Sequence, residues 1–146
     1  MNLDGPLPEI LGNKTDPKKY MRIQYCGGWG YRPRCDPVME ALNAKFPNQL
    51  QYILVGDPGL TGNFEVTLHD DAACSGEGEM IHSKQASKKF PDANMDTFVA
   101  FVEGELEWDL IIQNRLKSKK SNINQIRKWK WYEKLEIILL NRFIID

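Results

Sequence analysis

The sequence predicts an α/β fold of thioredoxin-like type: a β-α-β-β-β-α core around a four-stranded mixed sheet. Three observations predict it. The run Lys19–Cys26 alternates in polarity and ends on a cysteine before a glycine-rich loop. A helical pattern and a second strand-like run follow, the order of a right-handed β-α-β crossover. Two further strand-like runs then form a hairpin, with a second helical pattern to cover the sheet.

Each element has its own justification. Residues 1–18 are broken by proline and glycine and read as a flexible leader. In Lys19–Cys26, Met21, Ile23 and Tyr25 share one face, and Tyr20, Arg22, Gln24 and Cys26 the other. Gly27–Pro33 is loop. Asp36 is placed to cap a helix with Pro37 at its first position. Val38, Met39, Leu42 and Phe46 fall on one side of that helix, and Pro47-Asn48 ends it. Leu50–Val55 is the second strand, and Gly56-Asp57-Pro58-Gly59 is turn chemistry. Asn63–Leu68 and Glu79–Ser83 form the hairpin across a polar loop, Asp70–Gly78. Asn94 or Asp96 caps the closing helix, where Met95, Phe98, Val99, Val102 and Leu106 recur at three- and four-residue steps.

The composition is that of a globular protein, 42% hydrophobic and 27% charged over 146 residues. The net charge of −1 conceals two different materials. Residues 109–146 carry +5 and residues 1–108 carry −6, and every glycine and proline lies in the first part. No apolar run reaches the ~18 residues of a membrane span. The N-terminal residues lack the apolar stretch of a secretory signal. Three cysteines, nine and thirty-nine residues apart, match no zinc framework and suggest free thiols in a reducing, cytoplasmic setting.

Cys26 sits where a thiol oxidoreductase keeps its nucleophile, but Trp29 stands where the second cysteine of a C-x-x-C pair belongs. Partial positive charge from nearby backbone N–H groups, with Arg32 and Arg34, is expected to lower the Cys26 pKa. The bland reading of Cys26 is a buried structural thiol. Cys35 is a backup partner, or an ordinary residue at a helix start. Cys74 lies in a polar loop and reads as incidental. His69 and His82, on neighbouring strands, suit packing better than a metal. Asp70-Asp71 reads as a solvated loop.

The segment Cys26-Gly27-Gly28-Trp29-Gly30-Tyr31 resembles the Cys-x-x-Sec-Gly-Tyr loop of the selenoprotein W family, in the group that also holds selenoproteins T, H and V. Thr61-Gly62-Asn63-Phe64-Glu65-Val66 is similar to that family's Thr-Gly-x-Phe-Glu-Val strand, and Ile81-His82-Ser83-Lys84 to its hairpin return. The resemblance covers residues 19–107. It implies a cytoplasmic thiol/selenol–disulfide redox protein with Cys26 and position 29 as the redox pair. It implies glutathione and protein thiols as partners. No nucleic-acid partner and no bound cofactor or metal are expected. Selenocysteine is encoded by UGA, which a conceptual translation can render as tryptophan. Trp29 is thus either a misread selenocysteine or a genuine tryptophan. In the second case the chain is a non-enzymatic interaction module that presents the Gly27–Tyr31 loop to a protein partner.

The tail, residues 108–146, raises the same question. Trp108 is a second candidate UGA, and eight of the twelve isoleucines follow it. Either translated A/T-rich untranslated sequence or a real extension fits. Its stretch Arg127–Lys134 mixes bases with aromatics, as membrane-surface or nucleic-acid binders do.

Overall fold

The structure, a computed structural model, describes residues 7–119. It divides into two compact units, with the boundary between Val102 and Glu103. The first holds a five-stranded mixed sheet. Its strands are β1 (Glu9–Gly12), β2 (Lys19–Cys26), β3 (Leu50–Asp57), β4 (Phe64–His69) and β5 (Glu79–Ser83), in the spatial order β1-β3-β2-β4-β5. β2 and β3 run parallel, joined through helix α1 (Cys35–Lys45), and all other pairs are antiparallel.

The thioredoxin-like α/β arrangement holds, with one strand more than expected. The extra strand is β1, inside the segment read as a flexible leader. It pairs antiparallel with the edge of β3, from Glu9 opposite Leu54 to Gly12 opposite Gln51. Its four residues are too few for periodicity to register, and β3 supplies the order. Residues 1–6 lie outside the described residues.

Register sorts the sheet into two unlike faces. Met21, Ile23 and Tyr25 stand beside Tyr52, Leu54, Phe64, Val66 and Leu68, and all are buried. Ile23 is 0% exposed, and such burial stabilises by roughly 1.5–3 kcal/mol. α1 covers this face: Val38, Met39, Leu42 and Phe46 are buried as their spacing predicts, and Tyr52 Oη donates to Asn43 Oδ1 at 2.9 Å. The opposite face carries Tyr20, Arg22, Gln24, Glu65 and Thr67, an antiparallel surface left half-wet. Cys26 and Asp57 belong to this polar face, at its end.

Other departures are local. β3 continues to Asp57, through the Gly-Asp pair read as a turn, because β2 offers it a parallel partner as far as Cys26. A 3₁₀ turn at Arg32–Arg34 leads straight into α1 at Cys35, so Asp36 lies in the first turn and does not cap it. The polar segment after β5 contains a short helix, α2 (Lys84–Ser87), and a 3₁₀ turn at Pro91–Asn94. α3 runs from Met95 to Lys119, with Asn94 Oδ1 accepting from the Thr97 N–H at 3.3 Å. Position 108 falls inside α3, and the basic-aromatic stretch 127–134 lies outside the described residues.

Candidate functional site

The site forms where two loops meet at the parallel end of β2 and β3. Three backbone bonds stitch them together: Cys26 N–H to Asn63 O at 2.8 Å, Gly27 N–H to Asp57 O at 3.2 Å, and Gly28 N–H to Gly59 O at 2.9 Å. This approach explains the paired glycines. A Cβ on Gly27 would meet the Asp57 carbonyl, and one on Gly28 would stand 2.5 Å from the Gly59 oxygen. The first loop then closes on itself, with Tyr31 N–H donating to Cys26 O at 3.1 Å.

Cys26 is 0% exposed, yet its thiol ionises more readily than usual. Burial by itself pushes the pKa up. The backbone N–H groups of Gly62 and Trp29, then the hydroxyl and N–H of Thr61, outweigh that and bring it down. As a thiol the sulfur donates to Gly59 O at 3.3 Å. As a thiolate it faces a ring of donors drawn from both loops. The expectation of backbone N–H stabilisation is met, though not from a helix end: α1 begins nine residues on. The expected cations are engaged elsewhere. Arg32 grips Glu9 of β1 with two bonds, at 2.9 and 3.0 Å, and Asp36 at 3.0 Å. Arg34 lies 3.6 Å from Asp92 and 4.3 Å above the Phe90 ring.

Asp57 organises the second loop. Its carboxylate accepts from Gln24 Nε2 at 2.7 Å, Thr61 Oγ1 at 2.6 Å and Asn63 Nδ2 at 2.9 Å. Burial would raise its pKa; these bonds and the charge of Arg22 hold it below the ordinary carboxylate value. The sequence reading missed Asp57 and Gln24. A lone carboxylate closing an apolar strand, followed by Thr61 and Asn63, was the available signal, and it was absorbed into a turn.

Trp29 stands at the mouth. Its side chain is 56% exposed and lies against Gly62, while its backbone N–H serves Cys26. An edge-to-face series of rings runs inward from it: Trp29 to Tyr31 at 6.0 Å, Tyr31 to Phe90 at 4.9 Å, Phe90 to the buried Phe64 at 5.4 Å. Leu60, 68% exposed, follows Gly59 in the second loop and lies against Gly28.

The remaining candidates fall outside this centre. Cys35 is also 0% exposed, but burial pushes its thiol up to about 12, against the weaker pull of Arg32. Cys74 is half-buried and its pKa is raised, chiefly by burial. His69 is buried, with Nε2 on Thr67 Oγ1 at 2.8 Å, and His82 Nε2 meets Lys89 O at 2.6 Å. Among the described residues no three His, Cys, Asp or Glu side chains gather as a metal site would need. No described helix is long and apolar enough to cross a membrane.

The chain is similar to known proteins. The model of the Rdx family matches residues 20–95. Selenoprotein W of Danio rerio is 34% identical over 74 residues, covering 51% of this chain and 77% of that protein. Selenoprotein W of Mus musculus is 35% identical over 72 residues, covering 49% and 73%. A selenoprotein W-related protein from Vibrio cholerae, solved by crystallography, aligns at 19% identity with a TM-score of 0.47, over 61% of this chain and 98% of that one.

Proposed function

The chain belongs to the Rdx family as a selenoprotein W-like member, and we propose that it carries out thiol–disulfide exchange through Cys26 and position 29. The observation that carries the reading is the ring of neutral donors around the Cys26 sulfur, which favours the thiolate that exchange requires. We read position 29 as a selenocysteine rendered as tryptophan. Its side chain is exposed where Cys26 is covered, which suits an attacking group outside and a resolving group inside.

The selenolate at 29 attacks a disulfide, an Se–S bond forms, the S–S bond breaks, and one thiolate leaves and takes a proton from water. The Cys26 thiolate then attacks the selenium, the S–Se bond forms, the Se–S bond to the substrate breaks, and the second thiolate leaves and takes a proton from water. Two electrons pass from the pair to the disulfide. With tryptophan at 29, Cys26 stops at the mixed disulfide until a thiol from solution resolves it. Glutathione disulfide is the small-molecule oxidant of this scheme, glutathione the reductant, and the cytoplasm the compartment that maintains them.

Two measurements test the reading. Codon 29 is expected to be UGA; UGG ends the selenocysteine assignment. Incubation of the chain with glutathione disulfide is expected to place one glutathionyl group on Cys26, located by peptide mass spectrometry. An unmodified Cys26 ends the exchange assignment. A second reading rests on the exposed pair Trp29 and Leu60, which flank the site as an apolar partner surface would. It gains only if codon 29 is UGG and Cys26 stays inert.

A further inference from the structure

We propose that Asp57 is the positioning residue of the site: its carboxylate holds loop 57–63 in the shape that turns the Thr61 and Gly62 N–H groups onto the Cys26 sulfur. The inference rests on reading Cys26 as an exchange thiol.

The placement is specific. Asp57 is the register partner of Cys26 across the parallel pair and shares its face of the sheet. It is 7% exposed, and an ionised carboxylate so placed is tolerated only when donors surround it. Gln24 reaches Oδ1 from β2, while Thr61 and Asn63 reach Oδ2 from the middle and the end of the loop. The carboxylate thus ties the loop at both points to its own first residue. Arg22 is the charged group acting on Asp57, and it donates to Gln24 Oε1 at 3.2 Å, one step behind the carboxylate. The groups held this way are the ones that face Cys26. Asn63 O takes the Cys26 N–H, and Thr61 and Gly62 face the sulfur.

The Thr61 hydroxyl sharpens the argument. It has one proton and two acceptors, the Asp57 carboxylate and the Cys26 thiolate. Its bond to Asp57 and its support of the thiolate therefore compete. The backbone N–H groups of Thr61 and Gly62 are free of that competition, and they are what the carboxylate delivers. Positioning and simple charge repulsion then predict opposite signs. Removal of a carboxylate that acted only as a like charge would make Cys26 easier to ionise. Loss of the anchor makes it harder.

The test is a pH titration of the thiolate ultraviolet absorbance of Cys26, taken as the difference between each protein and its Cys26→Ser counterpart. This readout needs no reagent to reach a covered sulfur. In Asp57→Asn, Cys26 is expected to ionise at higher pH, and exchange with glutathione disulfide at neutral pH to slow about tenfold, the scale of one lost bond to a charged group. Thermal melting identifies variants that fold. Asn63→Ala provides a second route, because that side chain touches Asp57 and not the sulfur; it is expected to shift the Cys26 titration in the same direction by less. Ionisation at the same or lower pH in the folded variants overturns the inference. Failure of the parent reading looks different: the unmodified chain would then titrate Cys26 no earlier than an ordinary thiol.

Discussion

Two cysteines nine residues apart, both shut off from solvent, are pushed in opposite directions. Cys26 ends β2 and ionises more readily than usual; Cys35 opens α1 and resists ionisation. Burial raises both. Two things separate them: Cys35 lies deeper in the protein, so burial pushes it up harder, and only Cys26 has donors aimed at its sulfur. The two loops at the sheet end leave backbone N–H groups unpaired by secondary structure, and these turn to Cys26. At the start of α1 the cation acting on Cys35, Arg32, is held by Glu9 and Asp36, whose charges oppose its effect on the thiol. Accessibility alone would call both thiols structural; local hydrogen-bond supply makes one of them a redox candidate.

The contrast can be broken most severely at the sulfur. Cys26→Ser is expected to abolish glutathionylation by glutathione disulfide, whereas Cys35→Ser leaves it intact; mass spectrometry of the two variants checks this. Gly28→Ala comes next. Its Cβ would press on the Gly59 carbonyl, so it is expected to destabilise by about 3 kcal/mol in chemical denaturation and to disturb Cys26 but not Cys35. Cys35→Ser places a hydroxyl at a fully buried position and is expected to cost about 2 kcal/mol, with the Cys26 titration unmoved. Acid sharpens the comparison from the Asp57 side. The folded pKa of Asp57 lies below its usual value of 3.8, so its contribution to stability is fully present above 3.8 and is lost as pH falls through the folded value. Denaturation midpoints followed into acid are expected to fall more steeply for the unmodified chain than for Asp57→Asn. Glu9→Gln is the mildest change. It loosens a partly exposed ion pair by about 0.5 kcal/mol or less, an effect that added salt erases.

Much of the architecture was legible because periodicity reports burial. The three-residue set Met21, Ile23 and Tyr25, the α1 stripe and the β4 alternation each mark a face that the core covers. β1 was not legible, since its order is borrowed from β3. The end of β3 was misread for a related reason: Gly56-Asp57 has turn chemistry, and only the parallel neighbour keeps it extended. Cys26 and Trp29 stood out by their loop. The residues that tune the sulfur did not. Gln24, Asp57, Thr61 and Asn63 are separated by as many as thirty-nine positions, and only the crossover brings them to one carboxylate. Arg32 and Arg34 misled because adjacency in sequence was taken for adjacency in charge, and both face other partners.

One measurement bears most directly on the contrast: a pH titration of thiolate ultraviolet absorbance in the native chain, resolved for Cys26 and Cys35 by difference from Cys26→Ser and Cys35→Ser. The Cys26 midpoint is expected below the ordinary thiol value of ~8.5, with Cys35 un-ionised until well above it. A Cys26 midpoint at or above that value, or Cys35 ionising first, would contradict the contrast.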